Sequence, residues 1–144
     1  MGVRVVEELS GAVEEALLRD GIFASGTKGA SMKPMLRAGR DTVYITKNTE
    51  LPKKYDVILY RTDSGYTLHR IVGVRGGVDL VRGDNTYRTE RVPRERVLGI
   101  LSGVQRGGKY YDITSLAYRL YAHLWLLLYP VRFLLFKFRS LFKK

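Results

Sequence analysis

The chain has 144 residues, enough for one domain with a hydrophobic core but short for two. It has no cysteine and only two histidines, which excludes a disulfide framework or thiolate metal site and argues against a histidine-built zinc site. The formal net charge is +11, and from Arg106 onward 8 Lys and Arg stand against the single acid Asp112. This basic segment is also the most apolar part of the chain, so a membrane lipid surface is the expected partner and nucleic acid is not.

Residues 1–21 are predicted to form an N-terminal amphipathic helix. Apolar residues recur there at steps of three and four, with glutamates between them: Val3, Val6, Leu9, Val13 and Leu17. Asp20 and Gly21 form a typical C-terminal signal for a helix. Residues 3–19 have no apolar run of the length found in a secretory signal, so we expect a membrane-associated protein with its folded domain on the cytoplasmic side.

Residues 22–114 have a residue composition and spacing that are typical of a mainly β domain. Short β-rich runs alternate with turn residues, and the runs cover residues 41–46, 55–60, 66–72, 78–81, 97–101 and 109–113. Gly-Gly pairs at 76–77 and 107–108 separate some of them. Short strands at this spacing predict a compact antiparallel or mixed β domain that is closed on itself.

The C-terminal tail, residues 115–144, is predicted to be an apolar, basic, membrane-associating helix. The segment between Arg119 and Arg132 carries no Lys, Arg, Asp or Glu, and Pro130 predicts a kink. Trp125 and the nearby tyrosines suit a lipid headgroup region. We favour a kinked helix lying in the membrane interface, and a short spanning helix or a helix packed on a soluble domain are the alternatives.

Three segments contain residues that could perform chemistry. Ser31 lies between small residues and shortly before Pro34, so a fixed turn would present its hydroxyl beside its own backbone N–H. His69 is a polar imidazole in an apolar β-rich run, and neutral imidazole can accept a hydroxyl proton at physiological pH. Taken alone, such a histidine more often faces solvent or bonds to a carbonyl. Asp84, in the turn Gly83-Asp84-Asn85, could orient His69, and Glu90 and Asp79 are rival acids.

Together these segments resemble the superfamily of type I signal peptidases and LexA-like serine peptidases. The resemblance covers residues 24–105, through four boxes in the family's order: Ser31-Met32-x-Pro34-x-Leu36 with Gly39 and Asp41, Tyr55-Asp56-Val57-Ile58-Leu59-Tyr60, His69-Arg70-Ile71-Val72, and Gly83-Asp84-Asn85. A histidine in the third box, where bacterial enzymes have lysine, is similar to the archaeal and endoplasmic-reticulum signal peptidases.

The resemblance implies a signal-peptidase-like fold and specific residue roles. Ser31 would be the nucleophile and its backbone N–H an oxyanion donor, His69 the base, and Asp84 the preferred acid, with Glu90 as the alternative. Met32 and Pro34 would contact substrate, and neither a metal nor an organic cofactor is expected.

The chain also departs from the family pattern in three boxes. Tyr55 replaces the usual glycine, and Gly29 stands where many signal peptidases have an oxyanion-donating serine. The second aspartate of the archaeal and reticulum enzymes is missing from residues 86–90. The acid that orients His69 is therefore left open between Asp84 and Glu90.

The implied activity is endopeptidase cleavage of signal or leader peptides through an acyl-enzyme, with the peptide or preprotein bound as an extended strand. Removal of secretory signals and trimming of leader peptides on the cytoplasmic face both remain open. A membrane-attached peptide-binding module with weak or no catalysis is the main alternative. A LexA-like self-cleaving regulator is a further one, although it needs a DNA-binding segment ahead of the peptidase domain.

Overall fold

The computed structural model describes residues 3–5, 12–47 and 50–143. The described residues form nine strands and three helices, which in chain order are β1 (Val3–Val5), α1 (Ala12–Asp20), β2 (Ile22–Lys28), β3 (Asp41–Lys47), β4 (Val57–Thr62), β5 (Gly65–Arg75), β6 (Val78–Arg82), β7 (Glu90–Pro93), β8 (Val97–Arg106), β9 (Lys109–Asp112), α2 (Leu116–Leu127) and α3 (Tyr129–Leu141). A short 3-10 turn, Arg94–Arg96, precedes β8. The prediction of a mainly β protein is confirmed.

All pairings among the described strands are antiparallel, and they join the strands into one sheet in the order β1-β2-β3-β8-β4-β5-β6-β7, with β9 paired to β8. β1 pairs with β2 and also with β5, but it is only three residues long. The sheet is not a closed barrel, so the expectation of a closed β domain is wrong. The sheet continues past β5 into β6 and β7 instead of ending where β1 meets β5.

The N-terminal segment is only partly helical. Val3–Val5 is a strand, which corrects the prediction of a helix over residues 1–21; residues 6–11 lie outside the described part. Valine has a high β propensity, and pairing with two strands decides the conformation there. The helix forms from Ala12, where Val13 and Leu17 are buried as their spacing predicts. The Gly21 N–H closes the last turn on the carbonyl of Leu17.

Among the described residues, the core consists of two clusters that lie on opposite faces of β4. Val57 and Leu59 join the larger cluster with α1 and the loop after β2, whereas Ile58 and Tyr60 join the smaller one with β5, β6 and β7. Successive side chains of a strand point to opposite faces, so the four buried residues of β4 alternate between the clusters. β4 is therefore covered on both sides.

The tail consists of two helices that meet at Leu128, so the prediction of a helical tail is confirmed. Pro130 lies in the first turn of α3, where its missing N–H leaves no helical hydrogen bond unmade. Ala122 is buried, and Tyr121, Trp125 and Arg132 bond to the domain. In the described residues no helix is both long enough and apolar enough to cross a membrane.

Candidate active site

Ser31 lies in the loop between β2 and β3 and is 3% exposed. Gly29 has a φ of +91°, a conformation that glycine adopts without steric cost, and it turns the chain at the end of β2. The Lys33 N–H donates to the carbonyl of Ala30, and the Leu36 N–H donates to that of Met32. These local bonds make the turn that the sequence predicted around Ser31.

His69 lies on β5, opposite Ile58 of β4, and is 5% exposed. Its Nε2 atom is 3.1 Å from Oγ of Ser31. Burial lowers the pKa of His69 below its ordinary value, and the negative charges of Glu90 and Asp84 oppose that effect in part. The imidazole is therefore neutral at physiological pH, which is the state required of a general base.

The other ring nitrogen of His69 contacts Tyr60. Nδ1 is 3.0 Å from the Tyr60 hydroxyl, which donates in turn to Oε2 of Glu90 at 3.3 Å. Burial raises the pKa of Tyr60, and the charge of Glu90 raises it further, so the phenol keeps its proton.

This network assigns the tautomer of the imidazole. Because the proton of Tyr60 goes to the Glu90 carboxylate, the phenol oxygen accepts a hydrogen bond from Nδ1–H of His69. The lone pair of Nε2 then faces the hydroxyl of Ser31. The chain Ser31-His69-Tyr60-Glu90 thus runs in one direction, from the hydroxyl to the carboxylate.

Asp84 has different partners from those the sequence suggested. Its carboxylate accepts bonds from Nε and Nη2 of Arg70, at 2.8 and 2.9 Å, and from the Tyr121 hydroxyl at 2.8 Å. Both Arg70 and Asp84 are buried. Asp84 makes no hydrogen bond to His69 among these contacts, whereas Glu90 reaches the ring through Tyr60, so the acid that orients His69 stays a prediction. Asp79, the third acid considered, is buried with Arg94 3.7 Å away.

The turn Gly83-Asp84-Asn85 instead supports the loop that carries Ser31. The Asn85 N–H donates to the carbonyl of Ser31 at 2.7 Å, and the Asn85 side chain donates to the carbonyl of Ala30 at 3.1 Å. A Cβ atom on Gly83 would lie 2.5 Å from the carbonyl oxygen of Ser31 and 3.2 Å from Cδ2 of His69. Glycine is therefore required here for close approach.

The two residues predicted to bind substrate lie in different environments. Met32 is completely buried in the larger core cluster, which corrects its assignment as a substrate contact. Pro34 is exposed and lines a mainly apolar cleft of about 300 Å³, together with Met35, Arg106, Ala117, Tyr118 and Tyr121. Its contact with substrate stays a prediction.

The tail also contacts this turn. Nε1 of Trp125 and Nη1 of Arg132 donate to the carbonyl of Asp84, at 2.8 and 3.0 Å. The ring of Phe136 stacks on Tyr87, with 4.3 Å between the centroids. The tail helices thus stabilise the turn Gly83-Asp84-Asn85, which in turn contacts the loop of Ser31.

No protein-family model matches the chain, and no curated protein matches it significantly. The arrangement of the site carries the functional argument instead. A serine hydroxyl faces a neutral imidazole whose second nitrogen is tied to a phenol and a carboxylate. Among the described residues, no group of three His, Asp or Glu is arranged to hold a metal ion.

Proposed function

We propose that this protein is a serine endopeptidase similar to the archaeal and endoplasmic-reticulum signal peptidases, with signal or leader peptides as substrates. The observation that carries the proposal is the 3.1 Å contact between Oγ of Ser31 and Nε2 of His69, in the tautomer that accepts a proton. Nucleophile and base within hydrogen-bond reach, with a third group orienting the base, are the requirements of this chemistry.

In the first half of the reaction, Nε2 of His69 takes the proton of Ser31 while Oγ attacks the scissile carbonyl carbon. The backbone N–H of Ser31 is the donor that the proposal assigns to the oxyanion. The C–N bond then breaks as His69 returns the proton to the leaving amine, which leaves an ester on Ser31. Water hydrolyses that ester, with His69 again acting as base.

Tyr60 and Glu90 support this cycle through the imidazole. Protonation of His69 creates a positive charge in a buried position, and the negative charge of Glu90 stabilises that charge. The Tyr60 hydroxyl keeps Nδ1 protonated and fixes the ring plane. The proposal therefore gives Glu90, acting through Tyr60, the role that the sequence pattern assigned to Asp84.

The test compares wild-type protein with Ser31→Ala and His69→Ala, each incubated in mild detergent with a pooled library of signal and leader peptides. Ser102→Ala and His123→Ala are matched controls, because both residues lie outside the Ser31–His69 hydrogen-bond chain. We expect mass spectrometry to show cleavage at shared sites by wild type and both controls, and none by the two site variants.

Cleavage by Ser31→Ala at the wild-type rate would overturn the proposal. Peptide binding without cleavage by the wild-type protein would favour the peptide-binding module instead. The same spectra report the mass of the intact protein, so self-cleavage at a defined bond would reveal a self-processing peptidase.

A further inference from the structure

The two tail helices have an inner and an outer face. The inner face, formed by Tyr121, Ala122, Trp125, Tyr129 and Arg132, is buried or half-buried against the domain. The outer face consists of exposed apolar side chains at helical spacing: Leu116, Leu120, Leu124, Leu127, Val131, Leu134, Leu135, Phe138, Leu141 and Phe142. Leu127 exposes 76% of its surface and Leu141 71%. Contiguous apolar surface of this kind marks an interaction site.

The charged side chains of the described tail are all positive. Arg119, Lys137 and Arg139 are exposed on the same two helices, and Lys143 is exposed just after α3. The sequence has no Asp or Glu after Asp112. The remaining base of the described tail, Arg132, is turned inward to the carbonyls of Asp84 and Trp125.

We propose that the outer face of α2 and α3 is a docking surface for an anionic lipid bilayer. Aliphatic and aromatic side chains would enter the boundary between headgroups and acyl chains, and the four exposed bases would meet the lipid phosphates. The inner face stays on the domain, so the helices lie along the lipid surface.

The charge pattern distinguishes a bilayer from a second copy of the chain. In a symmetric dimer, the same patch of both subunits meets, which would place bases against bases with no acid from either tail to neutralise them. An anionic bilayer offers acyl chains to the apolar side chains and negatively charged phosphates to the bases.

The test measures sedimentation of the full chain with vesicles of phosphatidylcholine alone, or with about one third phosphatidylglycerol. In the apolar variant, Leu120, Leu127 and Leu134 are each changed to Gln. Its control carries Leu18→Gln and Leu51→Gln, which are as exposed but do not belong to the tail helices. We expect the apolar variant to bind anionic vesicles at least roughly tenfold more weakly, and the control to bind as wild type does.

The charge variant carries Lys137→Glu and Arg139→Glu. Its control, Lys47→Glu with Arg75→Glu, makes the same change in net charge on exposed residues of the sheet. We expect the first pair to weaken binding by roughly tenfold or more, and the control pair to have a small effect that salt removes. Circular dichroism verifies that each variant keeps the wild-type fold.

Equal binding of wild-type protein to neutral and anionic vesicles would overturn the anionic part of the proposal. Absence of binding to both, or a stable dimer in which the tail variants become monomeric, would overturn it entirely. Because vesicle binding needs no catalysis, a peptidase-inactive Ser31→Ala protein should bind as wild type does, so this proposal and the proposed activity fail independently.

Discussion

The hydroxyl of Tyr60 lies 3.0 Å from Nδ1 of His69, on the side of the ring opposite Ser31, and donates its own proton to Glu90. Serine peptidases commonly place a carboxylate directly against this nitrogen. Here a phenol separates the imidazole from the carboxylate. The phenol fixes the tautomer by its hydrogen bonds, and the charge of Glu90 acts on His69 from a greater distance.

The first prediction concerns Tyr60→Phe, which keeps the ring in the core and removes the bond to Nδ1. We expect kcat to fall by about 10- to 100-fold with little change in KM, because substrate contacts stay while the base loses its orientation. Tyr44→Phe is the matched control, since the Tyr44 hydroxyl bonds to Gln105 away from the site. An unchanged kcat in Tyr60→Phe would show that the phenol does not position His69.

The second prediction concerns pH. The proposed base must be neutral, and burial lowers the pKa of His69 below the ordinary value of about 6.5, so kcat/KM should decline only on the acid side of that value. Glu90 raises the pKa of His69, so Glu90→Gln should move the acid limb to lower pH. The pH profiles of kcat/KM for the two proteins provide the measurement. If the acid-side decline of kcat/KM occurs at the same pH in both proteins, Glu90 and His69 are not electrostatically coupled.

The lowered pKa of His69 also makes the stability of the folded state depend on pH. A histidine whose pKa is lowered on folding takes up a proton more readily in the unfolded chain, so the folded state loses stability as pH falls from about 6.5 through the folded pKa. Above that window both states hold the neutral ring and the residue contributes no pH dependence. His69→Gln should flatten this part of the dependence of the unfolding free energy on pH, as measured by denaturant titration.

The third prediction separates Asp84 from Glu90. Asp84→Ala leaves the guanidinium of Arg70 buried without its carboxylate, which should cost about 3–5 kcal/mol of unfolding free energy. Glu90 is exposed, so Glu90→Gln should change stability by less than about 1 kcal/mol. Denaturation in urea measures both variants. Similar stability losses in the two would contradict the roles assigned here.

Ser31 and His69 were predictable from the sequence as candidates for nucleophile and base, since they stand in recognisable local patterns. Tyr60 was not, because its role depends on strand register: Ile58 lies opposite His69, which makes Tyr60 a diagonal neighbour on the same face. The separation of Asp84 from the ring of His69 has a related cause. His69 and Arg70 are successive residues of one strand and point to opposite faces, and Asp84 bonds to Arg70.

The N-terminal strand could not be predicted from the sequence for a different reason. Val3 and Val6 fit the apolar spacing of a helix, and together with Val5 they also fit the composition of a strand, so periodicity could not decide between the two. The outcome for Val3–Val5 depends on pairing with β2 and β5, and β5 begins about sixty residues later in the chain. Such contacts cannot be read from local sequence.

The last prediction concerns Gly83→Ala. The new methyl group would lie 2.5 Å from the carbonyl oxygen of Ser31, far closer than van der Waals contact, and 3.2 Å from the ring of His69. Because the Asn85 N–H holds that same carbonyl, the loop of Ser31 must shift and the contact with His69 must lengthen. We expect kcat/KM to fall by roughly 100-fold or more, since small displacements at a reacting centre have effects of this size.

Gly73→Ala is the matched control, because its methyl group would meet only Cδ1 of Leu80 at an ordinary 3.7 Å. This variant should keep near wild-type activity in the same peptide-cleavage assay. Wild-type activity in Gly83→Ala would mean that the loop of Ser31 tolerates displacement, and the close approach of Gly83 would then have no role in positioning the nucleophile.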